Sequence, residues 1–233
     1  MKTLVIIPTY NEVGNLEKLV ANIHTIVPQS DVLIIDDSSP DGTGKLAEQL
    51  TKRNKKIKLI LRPHKAGLGS AYIQGFKYAL NNDYDYIFEM DADLSHDPRY
   101  LADFLKYAPT HQLILGSRYI EGGSISAWGT GRRTLSYLAN IYARVLLGLP
   151  YRDLTGGYKC YRREVLDNIG LDSIISEGYV FQIETTYRAH RKGYTIKEIP
   201  IVFKDRSRGK SKISRKICWE AIWKVPLLRF RRT

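Results

Sequence analysis

Acidic side chains are concentrated in one stretch of this 233-residue chain, EMDADLSHDP at residues 89–98. Glu89, Asp91, Asp93 and Asp97 fall within nine positions, although the formal net charge of the whole chain is +12. Two carboxylates at positions i and i+2 after a strand, as Asp91 and Asp93 would be, can both bind one hard divalent cation, Mg²⁺ or Mn²⁺. That cation would bind the phosphate oxygens of a ligand. The alternative is helix capping, which suits Asp97 because a proline follows it.

His96 lies among these acids, but sites for Mg²⁺ or Mn²⁺ consist mainly of oxygen ligands, so local hydrogen bonding is its expected role. Two other phosphate-binding motifs are incomplete. The segment after the first predicted strand reads PTYNEVG and lacks the GxGxxG of dinucleotide-binding proteins. The GKS at residues 209–211 lacks the glycine that a P-loop has five positions earlier, where Lys204 stands. A nicotinamide enzyme and an NTPase are therefore not expected.

The first half of the chain alternates short β-rich runs with segments of helical periodicity. Strands are predicted at 3–8, 31–36, 57–61, 84–90 and 112–115, and helices near 16–27, 43–53 and 70–80 and from Pro98 onward. Such βαβα order predicts an α/β fold with a mostly parallel central sheet and helices on both faces. The polar clusters TYNE, DDSSPDGT and DADLSHD each follow a strand, and the carboxyl ends of parallel strands meet at one edge. Three strand ends are therefore expected to converge on one site.

The second half, from residue 116, is less regular. After a glycine-rich loop at 116–131, a long helix is predicted with Leu135, Leu138, Tyr142 and Leu146 on one face. A helix near 177–192, a strand at 195–203 and a final helix complete the pattern. No linker or internal repeat separates these elements from the first half, so residues 1–233 are predicted to form a single domain.

Positive charge is concentrated at the end of the chain. Residues 204–233 contain eleven Lys or Arg against Asp205 and Glu220, a net charge of +9 out of +12. A basic segment of this kind favours an anionic partner, and nucleic acid, phosphate ligands and acidic lipid headgroups all qualify. No apolar run reaches the roughly 20 residues that cross a bilayer, and no signal peptide is recognisable. At most peripheral membrane contact is therefore expected. With only two distant cysteines, a reducing cytoplasmic compartment is expected.

Several motifs in order resemble one known family. The segments PTYNE with IIDDSSPDGT, EMDADLSHDP, DLTGGYKCYRREVL, and SEGYVFQIE followed by DRSRGKSK are similar to those of family 2 glycosyltransferases of the GT-A fold. Within that family the resemblance is greatest to the dolichol-phosphate (polyprenol-phosphate) mannose synthases, and it extends over essentially the whole chain. Many relatives continue into transmembrane helices after the last motif, so the sequence resembles a short form without them.

The resemblance implies transfer of mannose from GDP-mannose to a dolichyl or other polyprenyl monophosphate, with inversion at the anomeric carbon. It divides the chain into a nucleotide-binding half (1–115), an acceptor half (116–212) and a basic amphipathic helix (213–233). The residues implied to hold the nucleotide sugar are Pro8, Tyr10, Glu12, Ile35, Asp37, Asp91, Ala92 and Asp93, with Arg206 and Lys212 closing over it. Mg²⁺ or Mn²⁺ would be held by Asp91 and Asp93, and by Ser95 where some relatives have Gln. The acceptor would contact Arg118, Arg132, Arg133, Ser136 and Asp153.

Asp93, Arg118, Arg206 and Lys212 are the candidate catalytic residues, because cations and a metal stabilise the charge on a departing diphosphate. Asp153 is expected to orient the acceptor or fix the turn before LTGG rather than act as a base. The last helix combines Trp219 and Trp223 with basic residues, which is typical of a helix at an anionic membrane surface. Packing of that helix on the sheet is the competing interpretation, and a membrane-anchoring subunit is a further possible partner.

Two other function classes stay open from the sequence. A family 2 transferase that uses a UDP-sugar, or that acts on a sugar hydroxyl, would keep the same donor half. A nonenzymatic binder of nucleic acid or of a membrane surface would explain the basic tail but would leave the acids at the strand ends without a role. No nucleic acid partner is therefore expected.

Overall fold

The computed structural model of the protein describes residues 1–174, 176–205 and 215–230, with the side chains of 215–221 excepted. The strands are β1 (Thr3–Thr9), β2 (Asp31–Asp36), β3 (Ile57–Leu61), β4 (Tyr86–Glu89), β5 (Leu113–Ser117), β6 (Ser124–Ile125), β7 (Lys159–Arg162), β8 (Ile196–Pro200) and β9 (Val202–Phe203). The helices are α1 (Val13–Ile26), α2 (Thr43–Arg53), α3 (Leu68–Asn81), α4 (Leu101–Tyr107), α5 (Thr130–Leu147), α6 (Arg163–Asn168), α7 (Gly178–Arg191) and α8 (Arg215–Phe230).

A central sheet contains seven strands in the order β3-β2-β1-β4-β7-β5-β8. β1 is parallel to β2 and β4, β2 is parallel to β3, and β5 is parallel to β8. Only β7 among these strands is antiparallel, and it lies between β4 and β5. The predicted mostly parallel sheet is confirmed. Strands from both sides of residue 115 share this sheet, which supports the proposed single domain.

Helices cover both faces of the sheet, as predicted. Alternate residues of a strand point to opposite faces, so Val5 and Ile7 pack with α1, α2 and α4, whereas Leu4 and Ile6 pack with α3, α6 and α7. A third apolar cluster joins α5, α7 and α8. The structure thus places the carboxyl ends of β1, β2 and β4 at one edge, where their loops meet.

Two predictions about the second half were incomplete. The strand predicted at 195–203 is divided at Ile201 into β8, which extends the central sheet, and β9, which pairs with β6 in a separate two-stranded sheet. β6 and β7 were not predicted at all. β7 has only four residues and its partners β4 and β5 are more than 40 residues away in sequence, so no local periodicity marks it.

The apolar face predicted on α5 exists, but of its four residues only Leu146 packs against the third apolar cluster. Leu135, Leu138 and Tyr142 are exposed. α8 packs beside α5, with Val225 and Leu228 buried in the third apolar cluster. The last helix therefore packs on α5 and α7 rather than on the sheet itself, and its role at a membrane surface stays a prediction, although α8 also exposes apolar residues. Within the described residues, no helix combines the length and the apolar character that crossing a bilayer requires.

Candidate active site

A cavity of about 360 Å³ lies at the carboxyl ends of the central strands. Its lining includes Pro8, Tyr10 and Glu12 after β1, Asp91, Ala92, Asp93 and His96 after β4, Arg118 after β5, and Trp128 and Arg132 at the start of α5. The rest of the lining comes from the segment before β7 (Thr155, Gly156 and Gly157), from Glu177 and the start of α7 (Gly178, Tyr179, Val180 and Gln182), and from Leu68 and Phe203. Some members of each predicted group, for the nucleotide, the metal and the acceptor, thus share one cavity.

The loops after β1 and β2 are hydrogen-bonded to each other. The Asn11 amide donates to Ser39 Oγ at 3.0 Å, and the Glu12 amide donates to Thr43 Oγ1 at 2.9 Å. Asp36, at the end of β2, accepts a hydrogen bond from the Thr9 hydroxyl at 2.8 Å. These bonds explain why TYNE (9–12) and DDSSPDGT (36–43), separated by 23 residues in the chain, form one wall.

Backbone strain is concentrated in the three loops. Asn11, Ser38 and Leu94, one in each loop, have positive φ angles of 63°, 54° and 63°. Asn tolerates this left-handed region, but a branched residue such as Leu adopts it at a cost of about 1 kcal/mol or more. Such strain persists only where surrounding contacts enforce it, and it is typical of functional loops.

Asp37 and Ile35, both predicted to hold the nucleoside, are buried next to the cavity rather than in its lining. Asp37 forms a buried ion pair with Arg62, whose Nη1 lies 2.8 Å from Asp37 Oδ1. Ile35 is 0% exposed and belongs to the core. Neither lines the cavity, so their predicted contacts with a nucleotide stay predictions. Such contacts would require the loops of this wall to move. Tyr10 does line it, with the Lys65 ammonium 3.8 Å from its ring centroid.

Asp91 and Asp93 differ in their surroundings. A carboxylate just after a strand end would be expected at the surface, but Asp93 is only 5% exposed. Its Oδ1 accepts hydrogen bonds from the Ser95 amide at 3.1 Å and the Ser95 hydroxyl at 2.5 Å. The Asp91 amide donates to His96 Nδ1 at 3.0 Å, which confirms local hydrogen bonding for His96. Asp97 accepts from the Arg99 amide and caps the turn at Pro98, as predicted.

The donor set fits a hard divalent cation. Among the described residues no cluster of three or more His, Cys, Asp or Glu side chains could enclose a metal by itself. Two neighbouring carboxylates in a cavity suit an ion that takes its other ligands from a diphosphate and water, as Mg²⁺ does when it binds nucleotides. Ser95 points its hydroxyl to Asp93, so its own bond to a metal stays a prediction.

Arg118 is held by a buried carboxylate. Its Nε and Nη2 donate to the two carboxylate oxygens of Asp153, both at 2.7 Å, and its amide donates to the same carboxylate at 2.9 Å. Burial alone would lower the pKa of Arg118, but the charge and hydrogen bonds of Asp153 raise it overall. Arg118 stays charged, with its orientation set by Asp153 and by Thr155.

The remaining predicted acceptor residues lie on or near α5. Arg132 lines the cavity, stacks 3.8 Å from the Trp128 ring centroid and donates to Asp205 at 3.1 Å. Ser136 accepts a hydrogen bond from the Tyr119 hydroxyl at 2.8 Å. Arg133 is exposed and Ser136 half-buried, and neither lines the cavity. Arg206 and Lys212 lie outside the described residues, so their predicted role over the donor has no structural account.

Sequence reasoning missed the layer beneath the cavity. The Lys159 ammonium donates to the Gln182 carbonyl and to the hydroxyls of Thr185 and Thr186. Burial raises the pKa of Glu89 to about 7, against the attraction of Lys159. Burial likewise lowers the pKa of Lys159 to about 8, which the charge of Glu89 counters.

Glu177 was also missed as a site residue. It lines the cavity and accepts hydrogen bonds from the Gly69 and Ser70 amides at 2.8 and 3.2 Å, at the N-terminus of α3. A carboxylate at this position is stabilised by the helix dipole. Gly69 must be small here, since a Cβ on it would meet the Ser176 carbonyl oxygen at 2.7 Å. Glu177 belongs to the motif SEGYVFQIE, but the spacing of residues in that motif does not show which side chains face the cavity.

The strand order, the paired carboxylates and the sequence together define a class. Residues 4–170 match the model of the glycosyl transferase family 2, and the chain belongs to that family of glycosyltransferases. Its α/β architecture is that of the GT-A fold.

Two curated relatives are similar over most of the chain. The undecaprenyl-phosphate mannosyltransferase of Micrococcus luteus is 44% identical over 225 residues, covering 97% of this chain and 93% of that protein. The polyprenol monophosphomannose synthase of Mycolicibacterium smegmatis is 46% identical over 226 residues, covering 96% of this chain and 85% of that protein.

Solved structures share the fold at low identity. Glucosyl-3-phosphoglycerate synthase from Mycobacterium tuberculosis, in complex with Mn²⁺, UDP-glucose and phosphoglyceric acid, is 17% identical with a TM-score of 0.68, covering 97% of this chain and 78% of that one. A mannosyltransferase from Pyrobaculum calidifontis, in complex with GDP-Man and Mn²⁺, is 18% identical with a TM-score of 0.59, covering 90% and 58%.

Proposed function

We propose that this protein transfers mannose from GDP-mannose to a polyprenyl monophosphate such as dolichyl phosphate, with inversion at the anomeric carbon. The main observation behind this proposal is that the lining of one cavity includes both the paired carboxylates and two arginines, Arg118 and Arg132. A sugar nucleotide needs the first set and an anionic acceptor needs the second. The names of the two curated relatives support mannose and a polyprenyl phosphate.

On the donor side, Pro8, Tyr10 and Glu12 would hold the nucleoside and Asp91 and Asp93 would hold Mg²⁺ or Mn²⁺. The cation, when bound, supplies charge stabilisation to the diphosphate leaving group. The two neighbours solved with Mn²⁺ and a nucleotide sugar support a divalent ion. The protein's own contribution is to fix the Asp93 carboxylate through Ser95, and the Asp91 backbone through His96, before the donor arrives.

On the acceptor side, Arg118 and Arg132 would bind the phosphate of the polyprenyl chain. An oxygen of that phosphate attacks the anomeric carbon as the bond from that carbon to the diphosphate oxygen breaks, and GDP leaves. A phosphate monoester is already anionic near neutral pH, since its second pKa is about 6. No group of the protein must take up a proton, which agrees with an Asp153 that is paired to Arg118.

We further propose that the protein binds peripherally to an anionic membrane at its cytoplasmic face, where the lipid acceptor lies. The supporting feature is an α5–α8 surface of exposed apolar side chains: Leu135, Tyr137, Leu138, Tyr142, Val145, Ile222, Trp223, Leu227 and Phe230. The same two helices carry the exposed Arg133 and Arg229. Apolar and aromatic groups beside arginines suit the headgroup region, where each cation adds about 1 kcal/mol. A membrane-anchoring subunit is the alternative occupant of this surface.

A donor panel tests the proposed reaction. Labelled GDP-mannose, UDP-glucose and UDP-GlcNAc are each offered with polyprenyl phosphate in vesicles, in Mg²⁺, Mn²⁺ or EDTA. Label should enter the lipid phase from GDP-mannose alone, and only with a divalent ion. UDP-glucose is a real competitor because the neighbour from M. tuberculosis holds it. Transfer from UDP-glucose, or to a sugar hydroxyl instead of the lipid phosphate, would overturn the proposal.

A further inference from the structure

One polar side chain at the cavity has no assigned role. Gln182, in the second turn of α7, is 2% exposed and lines the cavity. Its backbone carbonyl accepts from Lys159, and its Nε2–H faces the buried Glu89 carboxylate without forming a hydrogen bond of ordinary geometry, whereas its Oε1 has no hydrogen-bond partner among the described residues. An unpaired buried amide costs roughly 1–3 kcal/mol per group, so such a group usually acquires a partner from a ligand or water.

The neighbours of Gln182 place it between the donor and acceptor groups. A Cβ on Gly157 would lie 3.3 Å from Gln182 Nε2 and 3.8 Å from His96 Cε1. His96 in turn bonds to the Asp91 amide. A Cβ on the preceding residue, Gly156, would lie 3.5 Å from the Asp153 carboxylate, the partner of Arg118. The Gly156–Gly157 segment therefore runs from the carboxylate side of the cavity to the arginine side, with the amide against it.

We propose that the Gln182 amide hydrogen-bonds a hydroxyl group of the transferred sugar and thereby selects the configuration of that hydroxyl. This rests on the proposed function, in which the sugar lies between the diphosphate and the acceptor phosphate. A hydroxyl can donate a hydrogen bond to Oε1, which is an acceptor. A phosphate oxygen only accepts, so it would leave Oε1 unpaired. The two glycines leave room for a sugar ring beside the amide.

Deoxy analogues of the donor sugar give the test. The specificity constant kcat/KM is measured for GDP-mannose and for its 2-, 3-, 4- and 6-deoxy forms, with wild type, Gln182→Met and Tyr72→Phe. Wild type should lose about 10-fold to 100-fold on one deoxy form, because the amide then has no partner. Gln182→Met should lose a similar factor on GDP-mannose and treat that deoxy form and GDP-mannose almost alike. Affinity for GDP should stay unchanged.

Tyr72→Phe is the matched control, since the hydroxyl of Tyr72 on α3 is buried, has no hydrogen-bond partner among the described residues and does not line the cavity. It should keep the wild-type discrimination between the donors. An equal loss by Gln182→Met on GDP-mannose and on every deoxy form, or an equal loss of GDP affinity, would overturn the proposal. If Gln182→Met unfolds, Gly157→Ala, whose Cβ presses on Nε2, provides the same comparison.

Failure of the proposed function gives a different result. If wild type accepts another nucleotide sugar in the donor panel, the deoxy series of that sugar is used, and the role of Gln182 is decided separately. If no donor reacts, binding replaces turnover: Gln182→Met should reduce the affinity for GDP-mannose to that for GDP. An unchanged ratio of the two affinities would then reject the proposed contact.

Discussion

Replacing Asp153 with Asn removes one charge from an ion pair whose side chains are 4% and 0% exposed. The shape of the residue and one oxygen acceptor remain, but the Arg118 guanidinium keeps its charge where water hardly reaches. Breaking a buried pair by removing one partner costs about 3–5 kcal/mol. In a chain of this length each kcal/mol lowers Tm by about 2–4 °C. The expected loss for Asp153→Asn is therefore roughly 6–20 °C.

Thermal and denaturant unfolding of four proteins measures this loss. Wild type is compared with Asp153→Asn, with Arg118→Met combined with Asp153→Leu, and with Glu17→Gln. The double variant removes both charges and should recover part of the stability that the single variant loses. Glu17→Gln is the control, because the Glu17–Arg53 pair is 59% and 64% exposed and should be worth at most about 1 kcal/mol.

An Asp153→Asn protein as stable as the Glu17→Gln control would refute the reasoning that Asp153 holds Arg118 through buried charge. The pH profile of the reaction supplies a second check. If the acceptor phosphate needs no base, Asp153→Asn lowers the rate but leaves the shape of the profile unchanged. Loss of an acidic limb in the variant would instead identify Asp153 as a base and indicate a hydroxyl acceptor.

Three further predictions concern the metal, the membrane and the buried layer. Asp93→Asn should keep an oxygen for its loop hydrogen bonds, and hence Tm, while turnover falls at least about 100-fold; full activity in EDTA would contradict a metal role. Trp223→Ser, at a residue 70% exposed, should weaken sedimentation with anionic vesicles, whereas Leu61→Ser, at a residue 51% exposed on β3, should not; equal sedimentation of both would exclude the α5–α8 surface. The pKa of Glu89 is raised from 4.5 to about 7, so the folded state holds a proton that the unfolded state releases. The free energy of unfolding should thus fall between about pH 4.5 and 7, and Glu89→Gln should flatten this fall in denaturant titrations.

A substitution tests membrane binding more directly than a truncation, because α8 is also part of the third apolar cluster. Deletion of residues 214–233 would remove α8 together with its basic neighbours. Val225 and Leu228 are buried against α5 and α7, so the deletion would also expose part of the third apolar cluster. A loss of activity would then mix instability with weaker vesicle binding. Trp223 avoids this difficulty because most of its side chain already lies outside that cluster.

The sequence by itself determined the parallel half of the fold and the position of the paired carboxylates. The apolar run VLII at 32–35 and the helical spacing from Leu16 to Ile23 are local patterns. A sheet buried on both faces requires such patterns whatever position each strand takes in it. Because parallel strands point the same way, the loops after β1, β2 and β4 must share an edge. Asp91 and Asp93 could therefore be assigned to the site before any contact was known.

Only the tertiary structure decided which side chains reach the cavity and which support it. The antiparallel β7 pairs with strands distant in sequence, and its insertion places Lys159 beside Glu89, its partner on β4. Asp153 was a turn residue in the sequence, but its ion pair with Arg118 depends on a contact between residues 35 positions apart. Gln182 lies in a segment whose periodicity indicates a helix and nothing more. Such pairings follow from packing between distant segments, and a local pattern of residue types contains no information about them.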